Sequence, residues 1–242
     1  MDNDLQKRFR AFELFKHLSD QDIVDFERIC VTRKFNKGTT IYVPGEKRDR
    51  VFLVISGEVK VYQISNGKKI TIDAHREGGL FGDLSFAHKP FDAKPTNYAE
   101  ALSDVSVCAI SSYDLTDYLK SHTRLALGLL VNMRNRLHMA ESKIRDLALF
   151  SADIRIINEL IRHSLKHGND QGDYFEIPER LTHQEVSEMT GLARETVSKV
   201  LAGLTKSGMI ELSDDKFFKL NKKKIIEDCI DCIKVAKLDI FS

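Results

Sequence analysis

A helical stretch in the middle of the chain repeats its apolar residues every seven positions. Two series, offset by steps of three and four, occupy what would be the a and d positions of a heptad. The six positions are Leu130, Met133, Leu137, Ala140, Ile144 and Leu147. A helix packed on its own domain is one explanation of this stripe. We favour the pairing of two copies of the chain along it, because a seam of this length needs a partner.

The segment before this helix has the pattern of a β-domain. Short β-branched runs alternate with glycines, which come every 7 to 12 residues at positions 38, 45, 57, 67 and 78. The runs are Thr39–Val43, Val51–Ile55, Val59–Ile64, Ile70–Ala74 and Val105–Ile110. Evenly spaced short strands indicate a sandwich or a jelly-roll barrel, and Asn66-Gly67 is a favourable hairpin turn.

Helices are expected over most of the remaining sequence. The first 30 residues and the stretch from Ser112 to Leu149 have helical periodicity, as does Asp153–His167. Residues 168–173 are a loop by composition. The elements expected after this loop are two short helices, a turn at Gly208 and strands at Met209–Leu212 and Lys216–Leu220.

Composition limits the partners and the compartment. Hydrophobic residues make up 42% and charged residues 30%, with a net charge of +1, so a DNA-binding surface would have to concentrate its positive charge locally. No apolar run approaches the roughly 20 residues of a membrane span, and the first residues lack the apolar core of a signal peptide. We therefore expect a cytoplasmic protein without a membrane partner, with its four cysteines reduced.

The C-terminal part contains the signature of a helix-turn-helix. Thr182 can cap a first helix with Glu185 at the capping-box position, and Gly191 can supply the positive φ of a tight turn. A second helix is expected to start near Ala193. Its buried stripe would be Val197, Val200, Leu201 and Leu204.

Arg194, Glu195, Ser198 and Lys199 fall on the opposite face, near the start of this second helix. Arg and Lys donate to guanine O6 and N7, and Glu accepts from cytosine N4. From Arg194 to Lys224 the sequence has eight Lys or Arg and four Asp or Glu, a local net charge of +4. An ordinary helical hairpin with a charged surface is the alternative to a DNA-reading element.

The segment from Leu181 to Leu201 resembles the helix-turn-helix of the cyclic-AMP receptor protein and fumarate–nitrate regulator family. Val54–Tyr62 and Gly79–Phe86 resemble successive parts of that family's effector domain. The resemblance implies an α+β fold: an N-terminal double-stranded β-helix, which is a jelly-roll variant, a long dimerisation helix and a C-terminal winged helix-turn-helix. The expected boundaries are 1–120 for the effector domain with its N-terminal helices, 121–150 for the dimerisation helix and 151–242 for the DNA-binding domain, whose C-terminal helical extension, residues 221–242, lies beyond the resemblance.

A homodimer that binds a pseudo-palindromic site in double-stranded DNA follows from the resemblance, with RNA polymerase as a further partner if the protein is an activator. Arg194, Glu195 and Lys199 match base-contacting positions of the family, and Ser198 matches one used in the fumarate–nitrate branch. Thr182 and Gln184 are the other expected DNA contacts. Lys199 stands where the family usually has Arg, and a lysine lacks the planar fork of a guanidinium.

The effector site departs from the cyclic-AMP pattern. Gly82-Asp83-Leu84-Ser85 matches a Gly-Glu-Leu turn of the family, and Pro95 stands where the phosphate-binding Arg would be. The residues expected to line the pocket are Gly82, Asp83, Leu84, Ser85, Thr96, Asn97, Arg136, Ala140 and Glu141. Ala140-Glu141 replaces the Thr-Ser pair that faces the adenine. We therefore expect an effector other than cyclic AMP, which would change the pairing of the dimer helices and shift the population towards the DNA-binding form.

Cofactors are a second question that the resemblance raises. The N-terminal region has only Cys30 where the fumarate–nitrate branch has clustered cysteines, so an iron–sulfur cluster is not expected. Cys229 and Cys232 supply at best half of a metal site; buried structural cysteines explain them better, and a redox switch is the lesser alternative. Haem, bound through His75 or His138, is the alternative that makes the protein a gas or redox sensor.

Two other classes of protein fit the sequence less well than a regulator does. A jelly-roll metalloenzyme needs clustered inward-facing ligands, and only His75 lies in a predicted strand, so we expect neither a metal site nor an enzyme. A membrane- or kinase-associated cyclic-nucleotide module is disfavoured by the helix-turn-helix and by Pro95.

Overall fold

The structure is a computed structural model that describes residues 3–46, 49–82, 96–167, 169–213, 215 and 217–228. The chain forms two compact units, Met1–Arg136 and Leu137–Ser242. The boundary between them falls inside the segment expected to be the dimerisation helix. The division into three segments at residues 120 and 150 remains a prediction.

The first unit begins with helices, continues with strands and ends with helices. The helices are α1 (Asn3–Ala11), a 3-10 turn (Glu13–Phe15), α2 (Asp20–Arg28), α3 (Ser112–Ser121) and α4 (Thr123–Leu149), which continues into the second unit. The strands are β1 (Val31–Phe35), β2 (Thr40–Tyr42), β3 (Arg50–Ser56), β4 (Val59–Ser65), β5 (Lys68–His75), β6 (Leu80–Gly82), β7 (Tyr98–Ala101) and β8 (Val105–Ser111). Ser19 and Ser111 accept hydrogen bonds from backbone N–H groups at the starts of α2 and α3.

These strands form two four-stranded antiparallel sheets, with the orders β1-β8-β3-β6 and β2-β7-β4-β5. The hairpin turn between β4 and β5 is confirmed: Asn66 and Gly67 have φ angles of 51° and 72°, the positive values that a type I′ turn requires. Apolar side chains fill the space between the sheets, among them Val54, Val61 and Val107. The N-terminal jelly-roll domain is therefore confirmed.

Aromatic residues of the flanking helices cover one of these sheets. Phe15 and Phe26 lie with their ring centroids 4.7 Å apart, and Tyr118 of α3 lies 5.5 Å from Phe26. This cluster packs with Leu53 and Ile110 of the first sheet. Burial of several aromatic rings supplies a large part of the hydrophobic stabilisation of this unit.

Cys30 and Cys108 are joined by a disulfide, which corrects the expectation that all four cysteines are reduced. The reason is the pairing of β1 with β8, in which Thr32 lies opposite Cys108. That register brings the residue just before β1 within a Cα–Cα distance of 5.3 Å from Cys108. The expectation rested on the compartment alone, whereas the pairing depends on two segments that are 78 residues apart. Cys229 and Cys232 lie outside the described residues.

The second unit is a winged helix-turn-helix, as predicted. It contains the end of α4, then α5 (Ala152–His167), α6 (His183–Thr190), α7 (Arg194–Lys206) and α8 (Lys222–Asp228). Its strands are β9 (Asn169–Gln171), β10 (Tyr174–Glu176), β11 (Ile210–Leu212) and β12 (Phe218–Asn221), and they form one sheet in the order β11-β12-β10-β9. Ile156 and Leu160 of α5 pack with Val197 and Leu201 of α7 in its core.

Five strands differ from the sequence prediction, among them β10, which directly follows the predicted loop and lies in no predicted strand. β9 lies inside the stretch expected to be a loop, because Asn169–Gln171 pairs with β10 although its sequence is entirely polar. β1 was not predicted either, since four of its five residues are exposed and show no alternation. The short β6 and β7 were also missed, and both pair with strands that are distant in sequence.

Candidate DNA-reading element and effector site

The turn between α6 and α7 has the geometry that its residues predict. Thr182 and Glu185 form a capping box: the Glu185 N–H donates to Thr182 Oγ1 at 3.2 Å, and the Thr182 N–H donates to Glu185 Oε2 at 2.7 Å. Gly191 ends α6 with φ at 68°, and its N–H donates to the Ser187 carbonyl. Because a side chain at this φ would be strained, glycine suits the tight connection.

α7 separates a buried stripe from an exposed face. Val197 and Leu201 are 0% and 3% exposed, while Arg194, Glu195 and Lys199 are exposed. Ala193 occupies the N-cap position of α7 and supplies no side-chain hydrogen bond. The three charged side chains are therefore free of the core, on the part of the helix that meets base edges in other helix-turn-helix proteins.

Two other expected contacts lie at the start of α6. Thr182 and Gln184 are both exposed. The hydroxyl of Thr182 is engaged in the capping box, and the Gln184 side chain donates to Glu188 Oε1 at 3.2 Å. Groups at a helix N-terminus suit phosphate contacts, which position a protein on DNA without reading its sequence.

The structure adds a residue that the sequence analysis did not single out. His183, the first residue of α6, places its Nδ1 atom 2.8 Å from Ser198 Oγ on α7. Ser198 Oγ also lies 3.0 Å from the Arg194 carbonyl and donates to it. The 15-residue separation of His183 and Ser198 left no local pattern by which this contact could have been found.

A buried charge cluster, formed by Asp146 of α4 with Glu159 and Arg162 of α5, was also missed. Arg162 Nη2 donates to Asp146 Oδ2 at 2.7 Å and to Glu159 Oε2 at 2.8 Å. Burial alone would raise the pKa of Glu159, but Lys143 and Arg162 outweigh it and hold that pKa below its ordinary value. Burial would likewise lower the pKa of Arg162, but the two carboxylates raise it. Glu159 and Arg162 therefore both keep their charges.

The residues expected to line the effector pocket from the β-domain strands and loops are only partly described by the structure. Gly82 ends β6 with φ at 97°, where an added Cβ would lie 2.6 Å from the Arg50 carbonyl, so this strand end accepts only glycine. Thr96 Oγ1 and Asn97 Oδ1 both accept hydrogen bonds from the Gln63 side chain, at 2.7 Å and 2.9 Å. The remaining residues of the motif, Asp83, Leu84 and Ser85, lie outside the described residues.

Arg136 and the Ala140-Glu141 pair belong to different units. Arg136 lies 3.5 Å from the Asp73 carboxylate of β5 and donates to the Leu80 carbonyl at 3.4 Å, so it contacts the β-domain. Ala140 and Glu141 are exposed on the part of α4 that belongs to the second unit.

α4 carries the exposed apolar stripe that the heptad pattern predicts. Leu130, Leu137, Ile144 and Leu147 are 54% to 66% exposed, whereas Met133 is half-buried. An apolar stripe of this extent on a single chain marks an interaction surface.

One of the two histidines considered for haem, His75, is already engaged in the β-domain, whereas His138 lies on α4. His75 is buried, stacks on Phe81 at 5.7 Å between ring centroids and lies 3.4 Å from the Asp73 carboxylate. Within the described ranges, no group of three or more His, Cys, Asp or Glu is arranged to hold a metal ion. No helix of the described part of the chain is long and apolar enough to cross a membrane.

Models of known protein families match residues in both units. Residues 32–122 match the model of the cyclic nucleotide-binding domain, and residues 154–227 match that of the Crp-like helix-turn-helix domain. These matches and the geometry of α6 and α7 define a DNA-binding transcription regulator. The chain belongs to the Crp/Fnr family.

Individual relatives carry different names. The chain is 28% identical over 222 residues to the anaerobic regulatory protein of Bacillus subtilis, covering 88% of this chain and 92% of the relative. It is 27% identical over 180 residues to a CRP-like cAMP-activated global transcriptional regulator of Mycobacterium tuberculosis, covering 74% and 79%. A solved structure of a CooA mutant from Carboxydothermus hydrogenoformans has the same fold, with a TM-score of 0.72, 20% identity and coverage of 99% and 97%.

Proposed function

We propose that this regulator is a homodimer that binds a pseudo-palindromic operator, with one α7 in the major groove of each half-site. The observation that carries the proposal is the division of α7 into a buried Val197–Leu201 stripe and an exposed face with Arg194, Glu195 and Lys199. These side chains have the donors and acceptors that distinguish base pairs. The exposed stripe on α4 supports pairing of two copies, which would give the two-fold symmetry of such an operator.

The N-terminal unit is proposed to bind a small-molecule effector other than cyclic AMP. Sequence supports this: Asp83 replaces the glutamate of the family turn, Pro95 replaces the phosphate-binding arginine, and Ala140-Glu141 replaces a Thr-Ser pair. The names of the relatives include both a cAMP-activated and an anaerobic regulator, so similarity does not select one signal. Native mass spectrometry of the purified protein tests this proposal, because a co-purifying molecule of discrete mass would identify the effector. Saturable cyclic AMP binding that activates DNA binding would contradict it.

A redox-dependent sensor is the second candidate, and the Cys30–Cys108 disulfide favours it. A disulfide within a protein of the cytoplasm, where we expect this one to act, often reports the redox state. Operator affinity measured with and without a thiol reductant distinguishes the candidates. A redox sensor changes its affinity, and a Cys108→Ala variant does not respond; equal affinity under both conditions removes this candidate. Haem as the sensing group remains a prediction that a visible absorption spectrum checks.

Partners beyond DNA follow from the same proposal. A regulator that activates transcription would contact RNA polymerase, and we propose no membrane partner and no catalytic activity. The expected site of action is the cytoplasm, where the operator is accessible.

Fluorescence anisotropy with a labelled duplex tests the proposed function. The duplexes carry two half-sites of the TGTGA or TTGAT type, one such half-site or a scrambled sequence. The proposal predicts two protomers per duplex on the palindrome and a much weaker complex on the single half-site. Binding of one protomer per duplex, with equal affinity for palindrome and scrambled DNA, would contradict it.

A further inference from the structure

The contact between His183 and Ser198 determines which hydrogen-bonding group Ser198 can offer to DNA. Ser198 is half-buried on α7, three residues after Glu195 and one before Lys199, so it lies within the face proposed to read bases. Its hydroxyl oxygen is 2.8 Å from His183 Nδ1 and 3.0 Å from the Arg194 carbonyl oxygen. Two groups of the protein therefore lie within hydrogen-bonding distance of one hydroxyl.

A serine hydroxyl has one hydrogen to donate and two lone pairs that accept. The Arg194 carbonyl oxygen can only accept, so if it receives the Ser198 hydrogen, His183 Nδ1 must carry a hydrogen and donate to Ser198. If Nδ1 is instead the unprotonated nitrogen, it receives the Ser198 hydrogen itself. In either tautomer the hydroxyl hydrogen of Ser198 is bonded within the protein. Ser198 can then offer DNA only a lone pair, which accepts a hydrogen bond.

We infer that His183 is a specificity-positioning residue, which presents Ser198 to the operator as a hydrogen-bond acceptor only. This inference rests on the proposed function, because it assumes that α7 lies in the major groove. Adenine N6 and cytosine N4 are donors in that groove, whereas guanine O6 and N7 and thymine O4 are acceptors. Opposite Ser198, an amino base (A or C) is therefore favoured over a keto base (G or T), where two acceptors would face each other.

The hydrogen bond also fixes the orientation of the hydroxyl. His183 starts α6 and is held there by the capping box of the neighbouring Thr182 with Glu185. The Ser198 side chain is thus held by a hydrogen bond to α6 as well as by its own helix, α7. Without His183, the Arg194 carbonyl alone holds the Ser198 hydrogen, so the hydroxyl turns more readily towards a base acceptor and discrimination between amino and keto bases decreases.

Selection from a random duplex library by the full-length protein, followed by sequencing, tests this inference. For the wild type we expect one position in each half-site at which amino bases are enriched over keto bases by about three- to ten-fold, the range that one neutral hydrogen bond supports. Ser198→Ala should abolish this preference, and His183→Ala should reduce it. His183→Asn should restore it, since an asparagine amide reaches the position of Nδ1, and His183→Gln should not.

Two controls separate this inference from the proposed function. Gln184→Ala removes a neighbouring exposed side chain and should weaken binding without altering the base profile. Glu195→Ala should change the preference at a different base pair. Suppose that Glu195→Ala changes the preference at its own base pair, while His183→Ala selects the same bases as the wild type. The inference is then overturned and the proposed function stands. If the wild type enriches no sequence, both are overturned.

Discussion

Arg162 Nη2 lies 2.7 Å from Asp146 Oδ2, and the two side chains are only 4% and 5% exposed. This pair joins α5 to the end of α4, and Glu159 Oε2 lies 2.8 Å from the same Arg162 Nη2 atom. Replacing Arg162 by methionine would leave Asp146 and Glu159 buried without the guanidinium that donates to both. We expect Arg162→Met to lower the free energy of unfolding of the C-terminal unit by about 3–5 kcal/mol, measured by urea unfolding.

Lys219→Met is the matched control, because Lys219 forms a more exposed pair with Glu176 at 3.3 Å in the same unit. Its loss should cost about 0–1 kcal/mol. Equal effects of the two substitutions would show that burial adds nothing to the Arg162 pair.

The lowered pKa of Glu159 predicts a dependence of stability on pH. Because the folded-state pKa lies below the ordinary value, ionised Glu159 contributes its stabilisation above the ordinary value, and the contribution is lost as pH falls through the folded pKa. Glu159→Gln should therefore be less stable than the wild type near neutral pH, and the difference should shrink in acid. Urea unfolding of both proteins from about pH 7 down to pH 3 measures it. The exposed Glu227→Gln serves as control, and a difference between wild type and Glu159→Gln that is constant with pH would refute the prediction.

The stripe on α4 predicts the oligomeric state. Leu137 is 60% exposed on one chain, and burial between two copies would remove its side chain from water. Leu137→Lys should convert a dimer into a monomer at micromolar concentration, as measured by sedimentation velocity. Asn135→Lys adds the same charge at an exposed position outside the heptad stripe and should leave the dimer intact. A dimeric Leu137→Lys protein would place the interface elsewhere.

The Cys30–Cys108 disulfide predicts a stability that depends on the reductant. By closing a loop of 78 residues, it should stabilise the N-terminal unit by about 4.5 kcal/mol according to the chain-entropy model. A thiol reductant should lower the Tm of the wild type, while the Cys30→Ala/Cys108→Ala variant should melt at one temperature with or without it. Alkylation and mass spectrometry before reduction check whether both thiols are blocked. Alkylation of Cys30 and Cys108 themselves in protein purified without reductant would count against the bond.

Local features of this fold could be predicted from the sequence. The capping box of Thr182, the positive φ of Gly191 and the hairpin at Asn66-Gly67 each depend on residues within a few positions of one another. The long α4 was predicted because its apolar repeat persists over many residues. Family resemblance then supplied the order of the units, which these local patterns do not contain.

Contacts between distant segments could not be predicted in this way. Arg162 and Asp146 are polar residues in amphipathic helices, and a sequence pattern would assign them to the surface. The disulfide required the register of β1 on β8, and the His183–Ser198 contact required the packing of α6 on α7. Each depends on a neighbour that only the folded chain brings close. The assignment of DNA and effector residues remains a prediction for experiment.

Sequence reading by α7 is tested most directly by the ratio of dissociation constants for a selected operator and for scrambled DNA, at one fixed salt concentration. The wild type should prefer the operator by about 10³-fold or more. Glu195→Ala should reduce this ratio by at least about ten-fold, since it removes the acceptor that α7 offers to cytosine. Glu227→Ala, an exposed glutamate of α8, should leave the ratio unchanged. An unchanged ratio for Glu195→Ala, or equal affinities of the wild type for both duplexes, would contradict the claim that α7 reads the DNA sequence.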